Sequence, residues 1–290
     1  MIKSRGEKTF DVFNIIFMVI FALIFIIPIL LLINSSFTGT VSLTKNGYSL
    51  IIRDFSFEYY EAIFSMESKQ FIISILNSLF IVVCTTILMV ITTSLAAYAL
   101  TRKKLQFRGF FTYFFIISML FSGGTIPYYI LINKLGLMNT LWALILPNGV
   151  SAWYILLTRK FFQSVPEAFI EAAELDGASN LQILFKIVLP LNLPIIATVS
   201  LYTAVAMWND WFAASLFIDS NHYNLWPIQA FIRRVEDSDE FLKAYFGNTS
   251  LNFGGIRSAA VILSLLPIVI IYPLLQRYFI KGQLEGGVKE

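Results

Sequence analysis

The chain has 290 residues, of which 57% are hydrophobic, 16% aromatic and only 13% charged, with a formal net charge of +3. A soluble domain carries about 25% charged residues, so this composition excludes an ordinary soluble enzyme and indicates a membrane protein, while the small net charge gives no electrostatic case for nucleic acid. The single cysteine, Cys84, and the single histidine, His222, cannot build a disulfide framework or a Cys/His metal site.

Lys3, Arg5 and Lys8 precede a first apolar span, Phe13 to Ile33, which Asn34-Ser35-Ser36 ends. It is long enough to cross the hydrocarbon core and lacks the small-residue cleavage site of a signal peptide, so it reads as a retained anchor. A mixed stretch follows, with Asp54, Glu58, Glu61 and Glu67 against Lys45, Arg53 and Lys69. Phe71 to Leu100 is a second span, closed by Arg102, Lys103, Lys104 and Arg108, a strong positive-inside signal. The third, Phe110 to Ile132, is loosened by Gly123-Gly124 and Pro127; the fourth, Leu141 to Leu157, holds Pro147-Asn148-Gly149 near its middle and ends at Arg159 and Lys160. A fifth runs from about Leu191 to Phe217. The polar segment Asp219 to Gly255 separates it from a sixth, Ala259 to Ile280.

With the N-terminus inside, the cytoplasmic pieces (1–11, 101–108, 159–186, 277–290) hold more Lys and Arg than the longer outer ones (35–70, 133–139, 213–256). The expectation is therefore an all-α, polytopic membrane protein with six transmembrane helices and both termini in the cytoplasm. Residues 1–70 form an anchor helix and outer loop, and residues 71–290 a five-helix core.

Between the fourth and fifth spans lies Ser164 to Pro190, the least membrane-like long piece of the core. Ser164 with Glu167 fits a capping box, and Pro166 suits a first helical turn. A helix from about Val165 places Val165, Ala168, Phe169, Ala172 and Leu175 on one face and Glu167, Glu171 and Glu174 on another. Gly177 is a natural stop, and Ser179 with Gln182 offers a second N-cap. An amphipathic helix meant for a lipid surface carries Lys and Arg on its polar face. Carboxylates instead favour a basic protein groove, with a plain solvated loop as the alternative.

Glu171-Ala172-Ala173, three residues, Gly177, nine residues and Ile187-Val188-Leu189-Pro190 resemble the EAA loop of ABC importer permeases, whose pattern EAA-x3-G-x9-I-x-L-P is matched at every fixed position. Further along, Asn77-Ser78, Ala96-Ala97-Tyr98-Ala99-Leu100, Trp208-Asn209-Asp210 and Pro273 to Phe279 resemble the carbohydrate-uptake, maltose-permease-like branch. Phe121 to Pro127 and the Lys281-Gly282 tail are similar to a sub-branch for complex oligosaccharides. The resemblance covers most of the chain from about Phe71 and implies the type I importer permease fold, with a coupling helix docked in a cleft of a separate ATPase subunit. It implies that Glu171 pairs with a basic group of that ATPase, that Ala172 and Ala173 allow close approach, and that Gly177 makes the bend. Glu167, Asp176, Ile187, Leu189 and Pro190 complete the coupling set. The implied partners are a second, homologous permease subunit (a heterodimer), two ATPase subunits, an extracellular solute-binding protein, a carbohydrate substrate and the membrane.

No GxxxxGK[ST] motif occurs, so ATP and Mg belong on the partner ATPase and this chain binds no cofactor of its own. Asp210 is the only acidic side chain well inside an expected span. By that token it is a functional candidate; about 29 Å along a helix counted from Leu191, it is equally an interface residue beside Trp208 and Trp211. Pro147-Asn148-Gly149 frees backbone groups at membrane depth, which either neighbouring helices or a water-filled cavity must satisfy. Candidates for a substrate path are Tyr128, Asn148, Trp153, Trp208, Asn209 and Asp210. Tyr129 and Tyr154 are further aromatic faces for sugar rings, or simple packing. The outer pair Arg233-Arg234 either attracts an acidic sugar or belongs to a solvated loop. A secondary transporter or channel requires ion-coupling carboxylates within spans. A membrane-embedded enzyme requires a Ser/His, HExxH or paired-carboxylate constellation. The sequence offers little for either.

Overall fold

The structure, a computed structural model, describes residues 5–64, 69–246 and 250–287, with side chains placed in most of these as far as Ile270. Side chains of the Pro273 to Phe279 motif, the Lys281-Gly282 tail and Glu67 lie outside the described set. The fold is helical. Among the described residues the only β feature is an isolated antiparallel bridge between Thr38 and Phe55. Two compact units emerge, one from Met1–Ile72 with Ile232–Leu266, the other from Ile73–Phe231 with Pro267–Glu290.

The first unit begins with α1 (Arg5–Ser36), whose Phe10–Ser36 stretch holds an 18-residue window of mean hydropathy 3.4 with no residue buried; burial begins at Asn34, Ser35 and Ser36. Such a stretch, apolar all round and unburied up to its last turn, is built for a lipid or protein surround rather than water. Ser35 and Ser36 close it by donating their hydroxyls to the carbonyls of Leu31 and Ile33. The short α2 (Thr40–Asn46) and α3 (Glu58–Phe64) follow, and the intervening chain gathers Phe37, Phe55, Phe57 and Tyr60 into one aromatic cluster. Tyr59, fully buried, lies against Gly255, where an added Cβ would fall 2.1 Å from the ring.

The long α4 (Lys69–Thr101) is a 33-residue span with mean hydropathy 2.4. At its far end Phe107 takes φ +56 and leads into α5 (Arg108–Leu120). The expected third span is not continuous. Phe121 and the two glycines leave the helix, and α6 (Thr125–Lys134) departs from α5 at 115°. Gly124 at φ +84 provides a backbone conformation that a side chain would disfavour.

The fourth expected span is also in pieces. It consists of α7 (Trp142–Ile145), a 3-10 turn at Pro147–Gly149 and an extended Val150-Ser151, with α8 (Ala152–Phe162) beyond. Proline cannot continue the hydrogen-bond ladder, and Gly149 packs so close to α4 that a Cβ there would lie 2.2 Å from Leu88 Cδ2.

Next come α9 (Glu167–Leu175), α10 (Asn180–Ile183), a π-helical turn at Leu184–Val188 and α11 (Leu189–Leu191). Then α12 (Leu193–Asn209) leaves at 85° to the Asn180–Leu191 segment. The fifth expected span ends early, because Asp210 is extended (ψ 111) and α13 (Phe212–Phe217) is separate. A 3-10 turn, Ser220–Leu225, leads to α14 (Ile228–Asp237) and α15 (Asp239–Phe246), so most of the expected polar outer loop is helical. Buried Phe231, Val235 and Leu242 explain why: charged faces conceal an apolar one. The last helix, α16, spans Phe253–Gly287. Among the described residues three helices are long and apolar enough to cross a membrane, or up to five spans if each bent pair counts as one, short of the six expected.

Candidate functional site

The segment from Ser164 to Pro190 sits on a core of Met89, Ala97, Tyr98, Phe162, Ile183 and Leu184, extended by Val188, Ile195 and Val199. The Ala96 to Leu100 motif thus has a physical role: small Ala97 and the ring of Tyr98 form the floor beneath the loop.

The first capping box does not form. Ser164 donates its hydroxyl to the Phe161 carbonyl at 2.7 Å, and Pro166 stands at the N-cap of α9 with no side-chain bond. Ser164 satisfies the α8 terminus behind it instead of the helix ahead. The end of α9 follows the expectation. Gly177 takes φ +77, its N–H reaches Glu174 O at 3.1 Å, and the Ala178 N–H reaches Ala173 O at 2.9 Å. These are the two bonds of a Schellman stop. Two residues on, Ser179 and Gln182 form a reciprocal capping box that starts α10.

The orientation of α9 is the informative result. Val165, Ile170, Ala173 and Ala178 pack on the core, whereas Ala168, Phe169, Ala172 and Leu175 are exposed, Phe169 at 55% and Leu175 at 89%. At 100° per residue these four form one contiguous stripe. The carboxylates are partly turned inward. Arg102 pairs with Glu174, Lys104 approaches Glu174 at 3.7 Å, and Lys103 meets Glu167 at 2.8 Å. The basic residues that close α4 therefore supply a groove for two of the three acids within the same chain. The Lys103 hydrogen bond, reinforced by its charge, holds the Glu167 carboxyl below its ordinary range. Glu171 sits between these paired acids and the apolar stripe, exposed and without a hydrogen-bond or ion-pair partner among the described residues. It borders a hollow of about 470 Å³ shared with Arg102, Lys104, Arg108 and Gln163. Asp176 is exposed beside the turn; Ile187 and Leu189 are half-buried against the core, and Pro190 is exposed.

Residues proposed from sequence for a substrate path are less unified. Asn148 donates to Leu144 O at 2.9 Å and Asn209 to Val205 O at 2.7 Å, each within its own helical segment. Trp153 is 57% exposed, and Trp208 is buried with no partner for its indole N–H among the described residues. Asp210 is not inside a span; it accepts from the Ala213 N–H at 3.2 Å and starts α13. Tyr128 lies near enough to feel the charge of Asp210 and meets Phe217 edge-on at 5.2 Å. With Ser122, Gly123, Gly124 and Thr125 it lines a hollow of about 490 Å³ at the α5–α6 bend. The carbonyl freed at Gly149 is satisfied by a neighbouring helix, Thr92 Oγ1 donating to it at 2.6 Å. Asn77 and Ser78 tie α4 to the segment before α14, through Asn224 O at 2.8 Å and the Ile228 N–H at 2.8 Å. Arg233 is held by Asp237 at 3.0 Å, and His222 by Asp219 at 2.7 Å. Among the described residues no cluster of His, Cys, Asp or Glu could hold a metal ion.

A helical membrane scaffold, broken at several glycines and prolines and carrying a short acidic elbow clamped to its body, is the architecture of a transport permease. The chain belongs to the family of binding-protein-dependent transport system inner membrane components, matched over residues 1–284. Among curated relatives, the protein LplC of Bacillus subtilis (strain 168) is 36% identical, covering 100% of this chain and 98% of that one. The polygalacturonan/rhamnogalacturonan transport system permease protein YtcP of the same organism is also 36% identical, covering 98% and 99%. A crystal structure of a bacterial ABC transporter involved in the import of the acidic polysaccharide alginate superposes with a TM-score of 0.87 at 28% identity, covering 96% of this chain and 99% of that one.

Proposed function

We propose that this chain is a permease subunit of an ATP-driven importer for oligo- or polysaccharides, and that α9 is the element its ATPase grips. The observation that carries this reading is the exposed stripe of Ala168, Phe169, Ala172 and Leu175. A nine-residue helix is marginal alone, and this one is fixed by ion pairs and packing on one side, which leaves an apolar surface to be covered by a protein. Glu171, free at the margin of that stripe, supplies a charge for a basic group in the partner's cleft. ATP and Mg are held by two ATPase subunits, and a second, homologous permease completes the passage. An extracellular solute-binding protein delivers cargo.

The orientation follows the basic residues, with both termini and α9 in the cytoplasm. Six crossings result if the three long helices, the two bent pairs and the broken α7–α8 segment each count once. One relative named for polygalacturonan and rhamnogalacturonan transport, and a structural neighbour involved in the import of alginate, support a sugar cargo and favour an acidic one. Nucleotide-driven closure pulls α9, and the rocking of the spans opens the passage alternately to each side.

Glu171→Lys and Phe169→Ala are expected to leave membrane insertion intact while ATPase co-purification and sugar uptake are lost. Retention of both in either variant would remove α9 from the coupling role.

A further inference from the structure

Arg108 and Arg159 stand out from Arg102, Lys103 and Lys104, the ion-paired cations beside the loop. The Arg159 Nη1 donates to Thr112 Oγ1 at 2.9 Å, and that hydroxyl donates to the Arg108 carbonyl at 2.9 Å, so the two residues meet where α8 crosses the start of α5. Both are half-buried, their like charges repel, and the Nε atom of each is shut off from solvent without a hydrogen-bond partner. Among the described residues neither has a carboxylate within ion-pair distance, whereas Arg102, Lys103 and Lys104 nearby all do. Two half-buried arginines whose charges repel and that lack a counter-charge are costly unless an anion joins them. The uncapped α5 N-terminus, with its free N–H groups, adds to the same positive field.

We propose that Arg108 and Arg159 bind the phosphate of an anionic phospholipid from the inner leaflet. Guanidinium forks suit phosphate oxygens, and basic pockets between helices at the cytoplasmic surface are favourable sites for acidic headgroups. The remainder of α5 fits the acyl chains. No residue of that helix is buried, and Phe110, Phe111, Phe114 and Ile117 are all exposed along it, an apolar track leading away from Arg108. The proposal rests on the inside assignment of the Arg102–Arg108 cluster and is independent of how α9 meets its ATPase.

The test uses the purified, assembled transporter, exchanged into detergent with phosphatidylglycerol, phosphatidylcholine or inorganic phosphate and followed by native mass spectrometry and thermal unfolding. Wild type is expected to retain phosphatidylglycerol over phosphatidylcholine. Each basic residue near an anionic surface is worth about fivefold in affinity, so Arg108→Gln with Arg159→Gln should weaken retention about 25-fold. Lys160→Gln, an exposed neighbour, should not. Equal retention of the two lipids, or undiminished binding by the double variant, would overturn the proposal. Stabilisation by inorganic phosphate matching that by phosphatidylglycerol would assign the arginines to a soluble ion. Stabilisation by a uronate sugar alone would move them to the cargo path. Should the double variant fail to assemble, the wild-type lipid series decides by itself.

Discussion

The turn at Pro147–Gly149 decides whether this break in the helices is packed against protein or faces a wet passage. Gly149 is buried, and a methyl group there would lie 2.2 Å from Leu88 Cδ2 and 2.5 Å from Leu88 Cγ, far inside contact distance. Overpacking of this kind costs about 1–3 kcal/mol. Any retreat of the turn also strains the 2.6 Å bond from Thr92 to the Gly149 carbonyl, a net loss of about 1 kcal/mol. Against this, alanine restricts the unfolded chain by about 0.4–1 kcal/mol relative to glycine. Gly149→Ala is therefore expected to destabilise by about 2 kcal/mol. Leu88 is half-buried and one turn from Thr92 on α4, so Leu88→Ala alone should cost less than a fully buried leucine, about 1–2 kcal/mol. The double variant relieves the clash and should be no worse than Leu88→Ala, giving a coupling of about 2 kcal/mol. Denaturant or thermal unfolding of the purified permease in detergent measures all four corners of the cycle, with sugar uptake alongside. Additivity within about 0.5 kcal/mol, or a Gly149→Ala protein as stable as wild type, would show that the turn faces open space and refute the packed reading.

Charge reversal tests the clamp beneath α9. Arg102→Glu and Glu174→Arg should each reduce sugar uptake and ATPase association, and the exchange of both should restore much of the loss, measured in membrane vesicles. Failure of the exchange to recover either quantity would show that the pair does not position α9. Acidity offers a second handle. Because Lys103 holds Glu167 below its ordinary range, the contact contributes above the unfolded carboxyl's titration and is lost only as pH falls through the lower, folded value. The readout is the Glu167 carboxyl in a pH series by carbon-detected NMR, which should stay ionised through mildly acidic conditions; an ordinary carboxylate titration would show that the contact does not hold.

What the sequence makes legible here is what local chemistry controls. Ser179 and Gln182 are three residues apart and cap α10 with bonds that need no other part of the chain. Gly177 stops α9 because left-handed backbone suits glycine, whatever lies around it. Ser164 shows the limit. Its hydroxyl had two candidate acceptor and donor partners, one on each side, and the finished α8 terminus took it. The facing of α9 was beyond reach for a different reason. Periodicity separates its apolar and acidic sides but does not say which one meets this chain and which meets another. Here the answer depends on Arg102 and Glu174, 72 residues apart in sequence. The same holds for the spans. Hydropathy marks apolar stretches, yet it does not register the 115° and 85° bends, the first at Gly123-Gly124, where Gly124 takes φ +84, and the second at Asn192, whose buried Nδ2 donates to Val188 O at 2.8 Å.

One helix links these local facts into a device. At its basic end α4 holds α9 through Arg102, with Ala97 and Tyr98 under the loop. One face further along holds the Pro147–Gly149 turn through Thr92 and Leu88. Near its start Asn77 and Ser78 hold the segment before α14. A continuous helix of 33 residues extends about 50 Å and resists bending. In the coupling role proposed for α9, a displacement there would be carried along this helix to the broken segment without any relay through flexible loops. That arrangement explains why the acids of α9 are not all left for the ATPase. Glu167 and Glu174 fasten α9 to the basic residues that close α4, which leaves Glu171 and the apolar stripe for the ATPase contact proposed above. A coupling element must be attached at both ends, and the role proposed for α9 puts its two attachments on different faces of a single short helix.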